Sequence, residues 1–196
     1  MADKPRLVLD RALAEYEGSQ RYNADLPESY ENLGTLWMDL GDSARAEAAF
    51  QQALRLSPHS ATAKLNLADL YRATGREAEC ERLIRDVLAR EPEHAAAKHA
   101  LGLSLLRQRR LVEALPALRH ASELDKGNPR FAFVYGAALD SAGQSRDAMR
   151  VLQGAAAAHP RNVDVLKALV ATSRRLGEGA LAQRYSAALQ SAVADR

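Results

Sequence analysis

A spacing of 34 residues constrains this chain more than any other feature. Stepping 34 residues from Gly34 gives Ala68, Gly102, Gly136 and Val170, so four of the five positions hold Gly or Ala. One place earlier stand Leu33, Leu67, Leu101, Tyr135 and Leu169, and three places later Trp37, Tyr71, Leu105, Leu139 and Ser173. Gly41, Gly75, Arg109, Gly143 and Gly177 recur at the same step. So do Ala46, Cys80, Ala114, Ala148 and Ala182, and then Phe50, Ile84, Leu118, Leu152 and Ser186. The series closes on Pro58, Pro92, Lys126, Pro160 and Ala194. A fixed period of this length marks stacked copies of one small unit, none of which buries its apolar face alone. Apolar residues at helical spacing on both sides of a glycine turn make that unit a pair of amphipathic helices. Glycine inside the first helix costs roughly 1 kcal/mol against alanine. Its recurrence predicts that the two helices cross closely, with Ala46 facing Gly34 and with Trp37 and Phe50 filling the wider part of the wedge.

The bulky–Leu–Gly–bulky first helix, the Ala and large apolar residue of the second, and the closing proline resemble the tetratricopeptide repeats. The resemblance covers residues 27–196 and implies an all-α fold, a right-handed α-solenoid of helix–turn–helix units. The units run 27–60, 61–94, 95–128, 129–162 and 163–196. The last is a degenerate C-terminal cap, departing from the pattern at Val170, Ser173, Ser186 and Ala194. Ala12 and Tyr16 lie 34 residues before Ala46 and Phe50. Residues 1–26 are therefore expected to hold a lone helix, within 5–22, that is the second helix of a partial repeat. On that ground the chain is expected to be a piece of a longer protein. Eleven helices and no β-structure are expected in all. Asp42 or Ser43 is placed to cap the second helix of the first unit. Pro116 falls past the first turn of a second helix, where it removes a backbone bond and crowds the carbonyl of Val112; a kink or a late start is expected there.

Composition excludes more than it selects. A net charge of +2 gives no global signature for nucleic acid or membrane. The charge is graded: residues 1–50 hold ten acidic and five basic side chains, and residues 151–196 hold three and six, which orients a partner without naming one. One cysteine forbids an internal disulfide. No apolar run approaches the roughly 18 residues needed to span a bilayer, and Asp10, Arg11 and Glu15 interrupt any signal-peptide core. The default location is cytoplasmic, or periplasmic if an exported parent carries the chain. Cys80 takes the small buried register position, a core role that opposes thiolate formation. His59, His94, His99, His120 and His159 form no metal-ligand spacing, and there is no phosphate loop. The basic run 107–110 has no interleaved aromatics and reads as a solvated turn, not a nucleic-acid patch. No enzyme activity, cofactor or metal is expected.

The resemblance places the first helices along a concave inner face. Its inward positions carry Glu28, Glu31, Asn32, Thr35, Met38 and Asp39, then Thr62, Leu65, Asn66, Asp69 and Arg72. They continue with His99, Leu103, Leu106 and Arg107, then Arg130, Phe133, Val134, Ala137 and Asp140, and end with Lys167, Arg174 and Arg175. The expected peptide-binding residues are Asn32, Asn66, Asp69, Arg72, His99, Leu103, Leu106, Arg107, Arg130, Phe133, Lys167 and Arg174. Asn32 and Asn66 are suited to an extended backbone, because an amide donates and accepts at once. Glu31 and Thr35 stand where chaperone-docking members of the family carry lysine and asparagine, which sets that function aside. The expected role is a non-enzymatic scaffold holding a protein or peptide partner, without nucleic acid and without membrane insertion. Self-assembly into a homo-oligomer is the alternative. A narrower resemblance, carried by "NPRFAFVYGAALDSAGQ" and the phrases before it, is to the repeat region of bacterial multihaem c-type cytochromes. It implies the tail of an exported protein, and without a CxxCH motif this stretch holds no covalent haem.

Overall fold

The structure, a computed structural model, describes residues 25–194 together with Ala14, Glu15 and Gly18. All regular structure among the described residues is helical. The expected helix over 5–22 lies outside the described residues except at Ala14, Glu15 and Gly18, which are helical. The contacts divide the chain into two compact units, 1–92 and 93–196. The first holds α1 (Pro27–Asp39), α2 (Ser43–Leu56), α3 (Ala61–Ala73) and α4 (Glu77–Arg90). The second holds α5 (Ala95–Arg107), α6 (Leu111–Leu124), α7 (Pro129–Ser141), α8 (Ser145–Ala158), α9 (Val163–Arg175) and α10 (Gly179–Ala194). Within each unit consecutive helices pack as antiparallel pairs, and each second helix also packs on the first helix of the next pair.

The turns explain themselves residue by residue. Gly41, Gly75, Gly143 and Gly177 have φ of 74–80°, the left-handed region that glycine enters without steric cost. Each turn closes with the same bond. The amide three residues past the helix reaches back to the residue three after the small position: Asp42 to Trp37 at 2.9 Å, Arg76 to Tyr71 at 2.8 Å, Arg110 to Leu105 at 2.9 Å. At Arg109 the same turn forms with φ of 61° on a residue that has a Cβ. Arg109→Gly is therefore expected to raise stability by about 0.5–1 kcal/mol, read as a rise in the urea midpoint at unchanged slope. The second helix of the first pair is capped by Asp42, whose carboxylate accepts from Arg45 N at 3.0 Å; Ser60, His94, Asn128 and Asn162 cap first helices in the same way.

The close crossing is real, but its partner differs from the expected one. The first atoms that a side chain at Gly34 meets are those of Phe50, at 2.4–2.8 Å, and not Ala46. At Gly102 and Gly136 the atoms met are those of Leu118 and Leu152, from 2.4 and 2.7 Å. The absent Cβ of the first helix is thus the socket for the large residue of the second. The final pair exchanges these sizes. Val170 is buried at the glycine register, while Ser186, at the register of Phe50 and Leu152, is small and half-buried. Its departure from the pattern is a swap of volume between two helices.

Pro116 neither delays nor shortens α6, which begins at Leu111, in step with the other second helices. Pro116 is exposed and Val112 is 85% exposed, so the carbonyl that loses its intrahelical donor lies on the solvent side.

Candidate functional site

Two clefts of the second unit lie between α5 and α7 and beside α9. Leu106, Leu111, Phe133, Val134 and Ala137 line an apolar cleft of about 480 Å³, together with Arg109, Ala138 and Ser141. Leu106 and Val134 rest on a core of Leu105, Ala114, Leu118 and Ala138. Phe133 rests on a second core of Met149, Leu152, Ala155, Val165 and Leu169. Each of these three side chains is half-buried. Their inner atoms are held by packing while an outer face stays open, the arrangement that gives a binding surface rigid anchors. On the other side of Phe133 and Val134 a second cleft, of about 380 Å³, is lined by Pro129, Arg130, Asn162 and Asp164. Phe133 and Val134 thus form a ridge between an apolar cleft and a charged one. Asn162 is partly engaged, since its side-chain oxygen accepts from Val165 N at 3.0 Å as the cap of α9.

The charges near this face fall into two groups. Arg130, Lys167 and Arg174 are exposed, and none pairs with a carboxylate among the described residues. Asp140, an inward position by sequence, is 9% exposed and occupied within the chain. Ser145 donates its hydroxyl to Asp140 at 2.5 Å, Thr172 approaches at 3.5 Å, and the Arg175 guanidinium lies at 3.3 Å. Asp140 is a tie between α7, the start of α8 and α9, and is not a groove contact.

His99 corrects an expectation. It is 7% exposed and stacks on Phe131 with ring centroids 4.4 Å apart. Neither ring nitrogen has a hydrogen-bond partner. Burial, and then the charge of Arg130, lower its pKa from 6.5 to about 4. A neutral, covered imidazole offers a ligand nothing to touch. The remaining second-unit positions, Leu103, Arg107, Lys167 and Arg174, line neither cleft; Leu103 is half-buried and the other three are exposed.

In the first unit, Asn32 is exposed and Asn66 half-buried. Asp69 and Arg72 bond each other, the Arg72 Nε donating at 2.8 Å. Glu31 is 9% exposed and accepts from the Ser60 hydroxyl at 2.6 Å, so it belongs to the α1–α3 packing. Sequence reasoning passed over Arg109, Asn162 and Asp164. For Arg109 a signal was present: it is the one turn position in the 34-residue register without glycine.

Among the described residues no group of three or more His, Cys, Asp or Glu side chains gathers as a metal site, and Cys80 is 1% exposed. No described helix is long and apolar enough to cross a membrane.

A family model described as tetratricopeptide repeat matches residues 38–103 and 105–173. Among curated proteins, mouse protein O-mannosyl-transferase TMTC3 is 26% identical over 134 residues, which is 61% of this chain. The chain spans 15% of that relative's length. Among solved structures, PilW, described as a widely conserved type IV pilus biogenesis factor, aligns with a TM-score of 0.81 at 21% identity, over 93% of this chain and 85% of PilW. YrrB, described as a TPR protein with an unusual peptide-binding site, aligns with a TM-score of 0.65 at 20% identity, over 92% and 93%. At these identities the structural likeness concerns the fold.

Proposed function

Because the chain belongs to the tetratricopeptide repeat family, we propose that the face built by α5, α7 and α9 holds a segment of a partner protein, and that the chain acts as a non-enzymatic interaction scaffold. One observation carries this reading: Leu106, Phe133 and Val134 are rooted in two cores yet open into one cleft. Apolar side chains held rigid at a cleft lose little conformational freedom on binding, so they convert contact area into affinity efficiently. Unpaired Arg130, Lys167 and Arg174 give the surroundings of that cleft a positive field, which steers an approaching segment more than it holds it. The peptide-binding character stated for YrrB fits the same kind of use.

The decisive variant is Ala137→Glu. Ala137 is exposed and lines the cleft, so a longer charged side chain fills the cavity without disturbing either core. Titration calorimetry against a peptide from a recovered partner should show binding lost, with the melting curve unchanged. Phe133→Ala should weaken the same binding by about 1–3 kcal/mol, with a smaller loss of stability because Phe133 also leans on the core. Should both variants bind as the parent does, this face is not the site. Sedimentation of the same variants tests self-assembly, since a dimer broken by Ala137→Glu would make the partner a second copy of the chain.

A further inference from the structure

We propose that the apolar cleft reads a short segment in which a large apolar side chain stands close to an aspartate or glutamate. The apolar group seats among Leu106, Phe133 and Val134, and Arg109 grips the carboxylate. The proposal rests on the groove reading above and adds the chemistry of the occupant.

Three observations converge on Arg109. Its backbone is left-handed, with φ of 61°, where the four equivalent turns use glycine. A side chain in that region carries strain, and strain held in a fold is explained when the side chain does something a glycine could not. Inside the chain it does nothing of the kind: the Arg109 guanidinium has no hydrogen bond, ion pair or ring contact among the described residues. Its neighbour differs, because Arg110 is engaged with Glu113 through Nη2–Oε2 at 2.6 Å and Nε–Oε1 at 2.8 Å. Arg109 is exposed and lines the apolar cleft, whose walls contain no acidic residue. An arginine that lines an apolar cleft and has no internal carboxylate is half of a charge-assisted pair, and its planar fork suits a carboxylate in two-point geometry. The spacing of the two parts follows from the cleft itself. Apolar anchors and Arg109 line one cavity of about 480 Å³, so the groups they bind lie within a few residues of each other.

The probe is a random dodecapeptide library displayed on phage and selected against the full chain, with individual peptides then measured by fluorescence anisotropy. Enriched peptides should carry Asp or Glu within about three residues of a large apolar side chain. Changing that acid to its amide should weaken binding to the parent chain by about tenfold, and by less than about twofold on Arg109→Gly. Arg109→Asn, which keeps a residue tolerant of the left-handed region, should behave like Arg109→Gly; Arg109→Lys should keep part of the preference. Binding should weaken with salt on the parent and much less on Arg109→Gly. Because glycine relieves the backbone, a loss of binding in that variant cannot be ascribed to misfolding. Enrichment without an acidic preference, or an amide penalty equal on the parent and on Arg109→Gly, overturns the inference. If such peptides are nonetheless lost on Ala137→Glu, the groove reading stands and the Arg109 inference alone falls. If no peptide is enriched, or binding ignores Ala137→Glu as well, both fall.

Discussion

Gly102→Leu is expected to destabilise the second unit by about 3 kcal/mol, although leucine is the better helix former by roughly 1 kcal/mol. The first atom added already collides. A Cβ at Gly102 stands 2.4 Å from both Cγ and Cδ2 of Leu118, which is fully buried and packed with Leu105, Ala114 and Ala138. Leu118 has no room to retreat, so the helices must part, and the separation is felt along the whole pair. The second site of the collision can be removed independently. Gly102→Leu combined with Leu118→Ala should be less damaging than the sum of the two single changes, a coupling read from a urea double-mutant cycle. Additive effects would mean that the two residues do not meet. Gly154 supplies the internal control: it lies in α8, exposed, with nothing within 4 Å of an added Cβ. Gly154→Ala should stabilise by about 0.5–1 kcal/mol. The same residue type in the same kind of helix should therefore give effects of opposite sign.

The second large effect is a loss of stability in mild acid that originates at His99. In the folded chain its pKa is about 4, lowered chiefly by burial and further by Arg130; in the unfolded chain it is near 6.5. Between those values the unfolded chain binds a proton that the folded chain does not, so stability rises with pH across the window. The contribution is intact above about pH 6.5 and is lost progressively down to about pH 4, reaching roughly 3 kcal/mol. His99→Phe should remove this component while keeping the stack on Phe131. It also deletes two ring nitrogens that have no partner, so the variant should be the more stable one even at pH 7. Urea midpoints of the two proteins at pH 7.5, 6, 5 and 4.5 decide it: the gap should widen steadily toward acid. Parallel curves would place the titrating group elsewhere.

His99 also shows where reading the sequence stopped short. The 34-residue register located helices and turns because their requirements are written in residue type. A left-handed turn asks for glycine, a close crossing asks for a missing Cβ, and both demands recur visibly. Register also assigns a face, and His99 falls on the inward one. Whether a side chain there is open depends on what the next pair lays over it, and Phe131, 32 places onward, covers the imidazole. Asp140 went the same way: its register placed it on the inner face, but Ser145 and Thr172 converge on it from two other helices. Such contacts depend on interhelical distances that no spacing encodes. At Pro116 the expected late start did not follow, for a different reason. Its penalty was judged for an isolated helix, whereas packing holds α6 in register and leaves the proline on the outside. That Leu106 and Phe133 share a cleft was legible because apolar residues at inward positions need only a neighbour of the same kind, and both line it in the structure.

The volume swap between Val170 and Ser186 bears on how such an array could be lengthened, shortened or recombined. A chimera joining α7 to α10 would set Gly136 opposite the register of Ser186 and leave a hole. One joining α9 to α8 would set Val170 opposite that of Leu152 and overfill the same space. Neither helix of the last pair is interchangeable with its counterpart, although the two together occupy the standard place. The heritable module is therefore the matched pair, and viable crossovers belong in the connection after a second helix, not in the glycine turn that divides a pair.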